Sequence, residues 1–191
     1  AVELAEALLG RYEDQHHGGF FFTANDHEQL IVRRKELFDQ ATPNGNALAA
    51  EGLLRLADLL DRDDFRQSAR RAIESASETI CQAPLAQGQS VLAVMRHTAA
   101  VRQWVLAAGE PSEEAEEVLR TLRQSYLPGH VLACRLAGST LSPSACLDAL
   151  FIDRPTTSHS WELYYCEGYT CLAPVNTLSA AKDLIATALE N

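Results

Sequence analysis

Gly18-Gly19-Phe20-Phe21-Phe22-Thr23-Ala24-Asn25-Asp26-His27, followed by Arg33-Arg34-Lys35-Glu36-Leu37-Phe38-Asp39 and Pro43-Asn44-Gly45-Asn46, is the stretch on which the reading of the chain turns. It separates two segments of helical periodicity, and at 18–46 it is far longer than an ordinary connection. Connections of that length are functional or disordered. The consecutive phenylalanines Phe20, Phe21 and Phe22 argue against disorder, which needs a composition poor in apolar residues. The stretch therefore reads as an ordered loop. Bulky aromatics favour a pleated surface, so Phe20–Thr23 is expected to be a short strand. Asp26-His27-Glu28 then turns the chain, and Leu30-Ile31-Val32 returns it as the second strand of a β-hairpin with a charged tip.

Helices flank this loop. Before it, Leu4, Ala5, Leu8, Leu9 and Tyr12 recur at helical spacing over residues 2–12, with Glu3, Glu6 and Arg11 opposite. After it, Asn44 or Asn46 caps a helix running to about Leu60, whose buried face carries Ala49, Ala50, Leu53, Leu56, Ala57 and Leu60. Asp61-Arg62-Asp63 is a tight connection to another helix, bearing Phe65, Ala69, Ala72, Ile73, Ala76 and Ile80 on its apolar side. So short a link makes the two antiparallel neighbours, an αα-hairpin. Beyond Pro84 a further helix spans about Gln87 to Thr98, with Val91, Leu92 and Met95 expected inward.

The pattern then changes. Arg102–Ala108 is a compact apolar run closed by Gly109, Ser112 caps a helix with Glu113 and Glu114 at the positive end of its dipole, and His130–Leu136 is a second apolar run. Strand, helix and strand with short links make a βαβ unit at about 101–136. One continuous helix over 88–108 is the competing reading. Gly138–Ser144 reads as loop, Leu147–Ile152 as a short helix or strand, and Trp161–Cys166 as extended. Asn176 or Thr177 caps a last helix carrying Leu178, Ala181, Leu184, Ile185 and Ala188.

Of the 191 residues 47% are apolar and 22% charged, and the net charge is −10. Such an acidic balance speaks against nucleic acid or an anionic membrane as partner, and no apolar run approaches a transmembrane length. The chain opens Ala-Val-Glu-Leu-Ala-Glu, in helical register without methionine or a signal n-region, and is expected to be cut from a longer protein. The 5 cysteines, irregularly spaced, do not form a secreted disulfide framework, so a cytoplasmic setting is the default.

The chemistry-bearing residues crowd the loop. Asp26, His27 and Glu36 supply the groups of acid–base catalysis, and Arg33 and Lys35 can hold an anion or a developing oxyanion. Phe22 offers a wall for a sugar ring, and Asn44 and Asn46 add polar contacts from the helix start. The bland alternative is a solvated hairpin whose charges form weak surface pairs. His16-His17 with His27 lacks zinc spacing, so no metal and no cofactor is expected. Cys166 and Cys171 form a C-x4-C pair, read as two structural thiols rather than a redox motif. Ser158-His159-Ser160 lacks a nucleophile-elbow context.

Three stretches together resemble a known family. Gly18–Asn46, Tyr126-Leu127-Pro128-Gly129-His130-Val131-Leu132 and Tyr165-Cys166-Glu167-Gly168-Tyr169-Thr170-Cys171-Leu172-Ala173-Pro174-Val175 resemble, in that order, the C-terminal part of thioredoxin-domain-containing proteins related to spermatogenesis-associated protein 20. The chain departs from that family's pattern at His16-His17, at Asn44 and at Gly129. The resemblance implies a mainly α chain with a small α/β part: helical hairpins of a partial (α/α)6 toroid like that of six-hairpin glycosidases, plus the β-hairpin and a βαβ insertion. The expected division is a toroid-like segment at 1–100, a small α/β segment at 101–175, and a helix at 176–191 packing back on the helices. A carbohydrate-related role with a small sugar-like ligand is implied by fold. The alternative is a non-catalytic module that docks a thioredoxin-like domain or a second copy of itself.

Overall fold

A computed structural model of the chain describes residues 1–28, 31–136, 145–152, 154, 161–168 and 170–189. The expected loop at Gly138–Ser144, the Ser158-His159-Ser160 run and Leu30 of the expected returning strand lie outside these residues. The chain divides into two compact units, 1–99 and 100–191. The described residues are mainly helical, with one small mixed sheet among them.

The first unit holds α1 (Val2–Tyr12), α2 (Gly45–Leu60), α3 (Asp63–Gln82) and α4 (Gly88–Thr98), with a 3-10 turn at Pro84–Ala86. Asn44 caps α2, its side-chain oxygen accepting the Ala47 N–H at 2.8 Å. Asp61 ends the helix at φ 53°, a left-handed conformation that Asp tolerates better than most residues. Asp63 and Asp64 then open α3, where the helix dipole favours negative charge. Small residues dominate the shared face: Ala50, Ala57, Ala69, Ala72 and Ala93 are buried around Leu53, Leu54 and Phe65. Among the groups buried here is Asp58, which bridges the helices through Arg66 at 2.9 Å and Arg96 at 2.7 Å. Leu92 and Met95, expected inward on α4, are exposed, and Ser90 and Ala93 take the buried positions. The small pair lets the neighbouring helix approach where larger side chains would not fit.

The second unit is built on β1 (Arg102–Ala108), α5 (Glu113–Gln124), β2 (His130–Leu136), β3 (Trp161–Glu167), β4 (Thr170–Cys171) and α6 (Leu178–Leu189). The sheet order is β2-β1-β3-β4. β1 and β2 are parallel, joined through α5, and β3 runs antiparallel to β1. A central strand covered on both faces needs continuous apolar sequence, and Trp104 to Ala108 are all buried. Trp104, Leu106 and Ala108 share a core with Leu163 and Tyr165 of β3, Val118 and Leu122 of α5, and Ala181 and Ile185 of α6. Ser112 caps α5 by accepting the Ala115 N–H at 3.3 Å, and Thr177 caps α6 through the Ala180 N–H at 3.4 Å. The continuous-helix reading of 88–108 is thus excluded: α4 ends at Thr98 and β1 follows. The segment read as helix or strand at Leu147–Ile152 is a 3-10 turn, Ala145–Phe151.

Two further expectations fail. There is no β-hairpin in the described part of 18–46: Phe20 makes one isolated bridge, to Glu13, and no strand forms. The phenylalanines do not alternate between two faces of a ladder. Phe20 enters the helical core while Phe22 is exposed, and isolated backbone bonds, such as Phe22 N–H to the Arg34 carbonyl at 2.8 Å, join side-chain bonds in place of a ladder. Secondly, Cys166 and Cys171 are not separate thiols but a disulfide between directly paired residues of β3 and β4.

Candidate functional site

The loop is fastened at its first turn. The Asp14 carboxylate accepts the N–H groups of His16 at 2.9 Å and His17 at 3.1 Å, and its backbone pairs with Gly18 and Gly19. Gly18 and Gly19 both have positive φ, 72° and 74°. A Cβ on Gly18 would sit 2.4 Å from the Arg71 carbonyl oxygen, so this backbone runs directly against α3. Beside it, buried Glu13 accepts the Ser68 hydroxyl at 2.6 Å and is paired with Arg71.

Lys35 closes the turn from the other end of the loop. Its Nζ lies 2.7 Å from Asp14 Oδ2 and donates to the Gly18 carbonyl at 2.6 Å. The hydrogen bond from Lys35 holds Asp14 well below the usual carboxylate range against the opposing effect of burial, helped by the His17 and His16 amides. Arg33 stacks its guanidinium 4.1 Å from the Phe21 ring centroid and donates to the Thr23 carbonyl at 2.6 Å. Both expected anion-binding cations therefore have their charged ends engaged within the loop.

Asn46 and Asn44 fasten the loop to α2. The Asn46 side-chain oxygen accepts the Phe20 N–H at 2.6 Å, and its amide nitrogen donates to the carbonyls of Phe20 at 3.0 Å and Glu36 at 2.9 Å. One buried amide thus binds both limbs of the loop. Asn44 donates to Asp39 at 2.8 Å and to Ser90 Oγ at 3.1 Å while capping α2. Asp39 in turn accepts the Gln89 N–H at 2.9 Å, capping α4. That amide, followed by those of Asn44, lowers the Asp39 pKa despite burial. Nearby, fully buried Gln87 carries side-chain amide atoms without a protein partner.

The remaining candidates are dispersed. Asp26 is exposed and lies 3.6 Å from exposed Arg11, an arrangement that contributes little. His27 is exposed, as are His16 and His17. Glu36 is half-buried in a groove of about 360 Å3 with Arg34, Lys35, Leu37, Phe38 and Gln40. The structure thus brings Lys35 to Asp14, Asn44 to Asp39 and Ser90, and Asn46 to the backbone of Phe20 and Glu36. No described contact joins Asp26 or His27 to Glu36. Asp14, Glu13 and Ser90 were not singled out from sequence. Asp14 could have been found from an aspartate followed closely by Gly18-Gly19, a pattern that makes a tight turn stabilised by its own side chain.

In outline, the protein is a helical unit carrying a long loop pinned by buried polar side chains, followed by an α/β unit whose edge bears a disulfide. Its sequence is 24% identical over 186 residues to human spermatogenesis-associated protein 20, covering 97% of this chain and 24% of that protein. It is 28% identical over 133 residues to the rat protein of that name, 69% of this chain and 17% of that protein. An uncharacterized protein of Caenorhabditis elegans is 26% identical over 166 residues, 87% of this chain and 22% of its own length. These similarities support the spermatogenesis-associated protein 20-like family for this chain. The chain spans between 17% and 24% of the length of these relatives. No family model matches it. Among the described residues no helix is long and apolar enough to cross a membrane.

Proposed function

We propose that this chain is a segment of a longer thioredoxin-domain-containing protein, and that its loop is a non-catalytic docking face for the thioredoxin-like domain. One observation carries the reading: four large apolar side chains of the loop stand exposed, while the polar side chains that fasten it are buried. Phe22, Ile31, Val32 and Phe38 are 72%, 102%, 67% and 47% exposed, while Asp14, Asn44 and Asn46 are buried. Exposed large apolar side chains mark a contact site where they gather into one patch. A loop already fastened at both ends loses little freedom on binding, which favours association. Relatives of which the shared stretch is only 17% and 24% have further sequence that can be placed against it.

A second reading rests on the groove over Arg34–Gln40. Its 360 Å3 is within the range of small-ligand sites, and it combines Glu36, Lys35 and Gln40 with apolar Phe38. In that reading α2, α3 and α4 belong to an (α/α)6 toroid, and Glu36 is the acid–base group acting on a sugar-like ligand.

Calorimetric titration of the chain with a thioredoxin-like domain separates the two. Binding that Ile31→Asp abolishes supports docking. Self-association seen by ultracentrifugation, and lost in the same variant, makes a second copy the occupant instead. Monosaccharides that shift the amide resonances of Arg34–Gln40, with no protein bound, overturn docking in favour of the sugar reading.

A further inference from the structure

The two sulfurs of the C-x4-C pair sit in unlike surroundings. Cys166 is buried in β3, whereas Cys171 on the short edge strand β4 is exposed. Arg154 extends its guanidinium to both, with Nη2 3.3 Å from Cys166 Sγ and 3.7 Å from Cys171 Sγ. The same guanidinium is anchored on the Leu150 carbonyl and lies 5.6 Å from the Tyr164 ring centroid.

A disulfide sulfur is neutral and a weak acceptor, so a cation beside it stabilises the oxidised pair only slightly. A thiolate in the same place is stabilised far more, because a neighbouring cation lowers the thiol pKa. Arg154 therefore favours the reduced form over the oxidised one, and favours the departure of the sulfur nearest to it. Cys81, Cys134 and Cys146 remain unpaired and exposed, a cysteine usage unlike that of domains held by permanent cross-links.

We infer that Cys166–Cys171 is a reversible thiol–disulfide exchange site for dithiol reductants, with Cys171 the sulfur attacked and Cys166 the sulfur released. A thiolate of the dithiol attacks exposed Cys171 Sγ and forms a mixed disulfide. The S–S bond of the protein breaks, and its electron pair passes to Cys166 Sγ, which leaves as a thiolate beside Arg154. The second thiol of the reductant, deprotonated, then attacks its own sulfur in the mixed disulfide and releases Cys171. The reductant departs as a cyclic disulfide, two electrons having moved to the cysteine pair. The two protons from the dithiol are taken up by the cysteine thiolates or the solvent.

The test uses the full chain with Cys81, Cys134 and Cys146 replaced by serine. Brief exposure to glutathione, quenching with N-ethylmaleimide and peptide mapping are expected to place glutathione on Cys171 and maleimide on Cys166. Reduction by dithiothreitol, with circular dichroism confirming the fold, is expected to slow about tenfold in Arg154→Gln and to recover in Arg154→Lys. Glutathione found on Cys166, reduction that requires denaturant, or an unchanged rate in Arg154→Gln overturns the proposal. Should Arg154→Gln fail to fold, the position of the glutathione adduct decides.

Discussion

Lys35 Nζ lies 2.7 Å from Asp14 Oδ2, so a cation late in the loop neutralises the carboxylate that shapes its first turn. The pair is screened from water on both sides, Lys35 being 17% and Asp14 8% exposed at the side chain. Desolvation costs such a pair much of its attraction unless other hydrogen bonds complete the shell. Here the amides of His16 and His17 and the carbonyl of Gly18 do so. The loop is therefore held closed by electrostatics that neither of its ends could supply alone.

Removing that carboxylate leaves Lys35 largely buried beside a carbonyl. Asp14→Asn is expected to cost about 3–5 kcal/mol at pH 7. Asp14 is depressed in the folded chain, so its contribution is full above the unfolded carboxylate value near 3.9 and is lost as pH falls toward the folded value. Urea unfolding across pH 7 to pH 3 checks both points. The gap between parent and variant narrows as the solution becomes acid, and a constant gap contradicts the assignment.

Asn46→Ala removes one amide that serves Phe20 N–H, Phe20 C=O and Glu36 C=O. Leaving such groups buried and unpaired costs about 1–3 kcal/mol. Asn46→Asp does not rescue it, since a carboxylate cannot donate to the two carbonyls. Denaturation curves measure the loss, and faster hydrogen exchange at the Phe20 amide locates it.

Gly18 and Gly129 share a positive φ but not their surroundings. A Cβ at Gly18 meets the Arg71 carbonyl at 2.4 Å, whereas one at Gly129 meets nothing within 4 Å. Gly129→Ala is expected to cost about 1–2 kcal/mol, the strain of the left-handed backbone. Gly18→Ala must also push the loop off α3 and is expected to exceed about 4 kcal/mol. Thermal unfolding of the two variants side by side tests the comparison.

Asp39→Ala uncaps α4 and frees Asn44 from one partner. The expected loss is about 1–2 kcal/mol, together with faster exchange at the Gln89 amide. Asp39→Asn keeps an acceptor for that amide and retains part of the capping.

The helices were legible because their evidence is local. Phe65, Ala69, Ala72 and Ala76 repeat with a period only a helix satisfies, and Ser112 before Glu113-Glu114 marks a helix start by itself. The parallel pair β1 and β2 was legible from two apolar runs around one helix. The buried face of α4 is not legible in sequence, because Leu92 and Met95 are larger than the Ser90 and Ala93 that the packing accommodates. The candidate site was legible in residue type but not in role. Lys35, Arg33 and Asn46 look like ligand contacts in sequence, and the folded loop turns each toward its own backbone.

Gly18–Asn46 is the clearest division between the two levels. Sequence by itself determined that the first helix ends before Gly18-Gly19 and that another begins after Pro43, because these follow from helical periodicity and capping. Only the tertiary structure decided that no hairpin forms among its described residues and that Asp14, Lys35, Asp39 and Asn46 hold the loop. Those bonds join residues distant in sequence, such as Lys35 with Asp14 and Phe20 with Asn46. Hydrogen bonds of that kind leave no periodic trace, so they exist as information only once packing has set the distances.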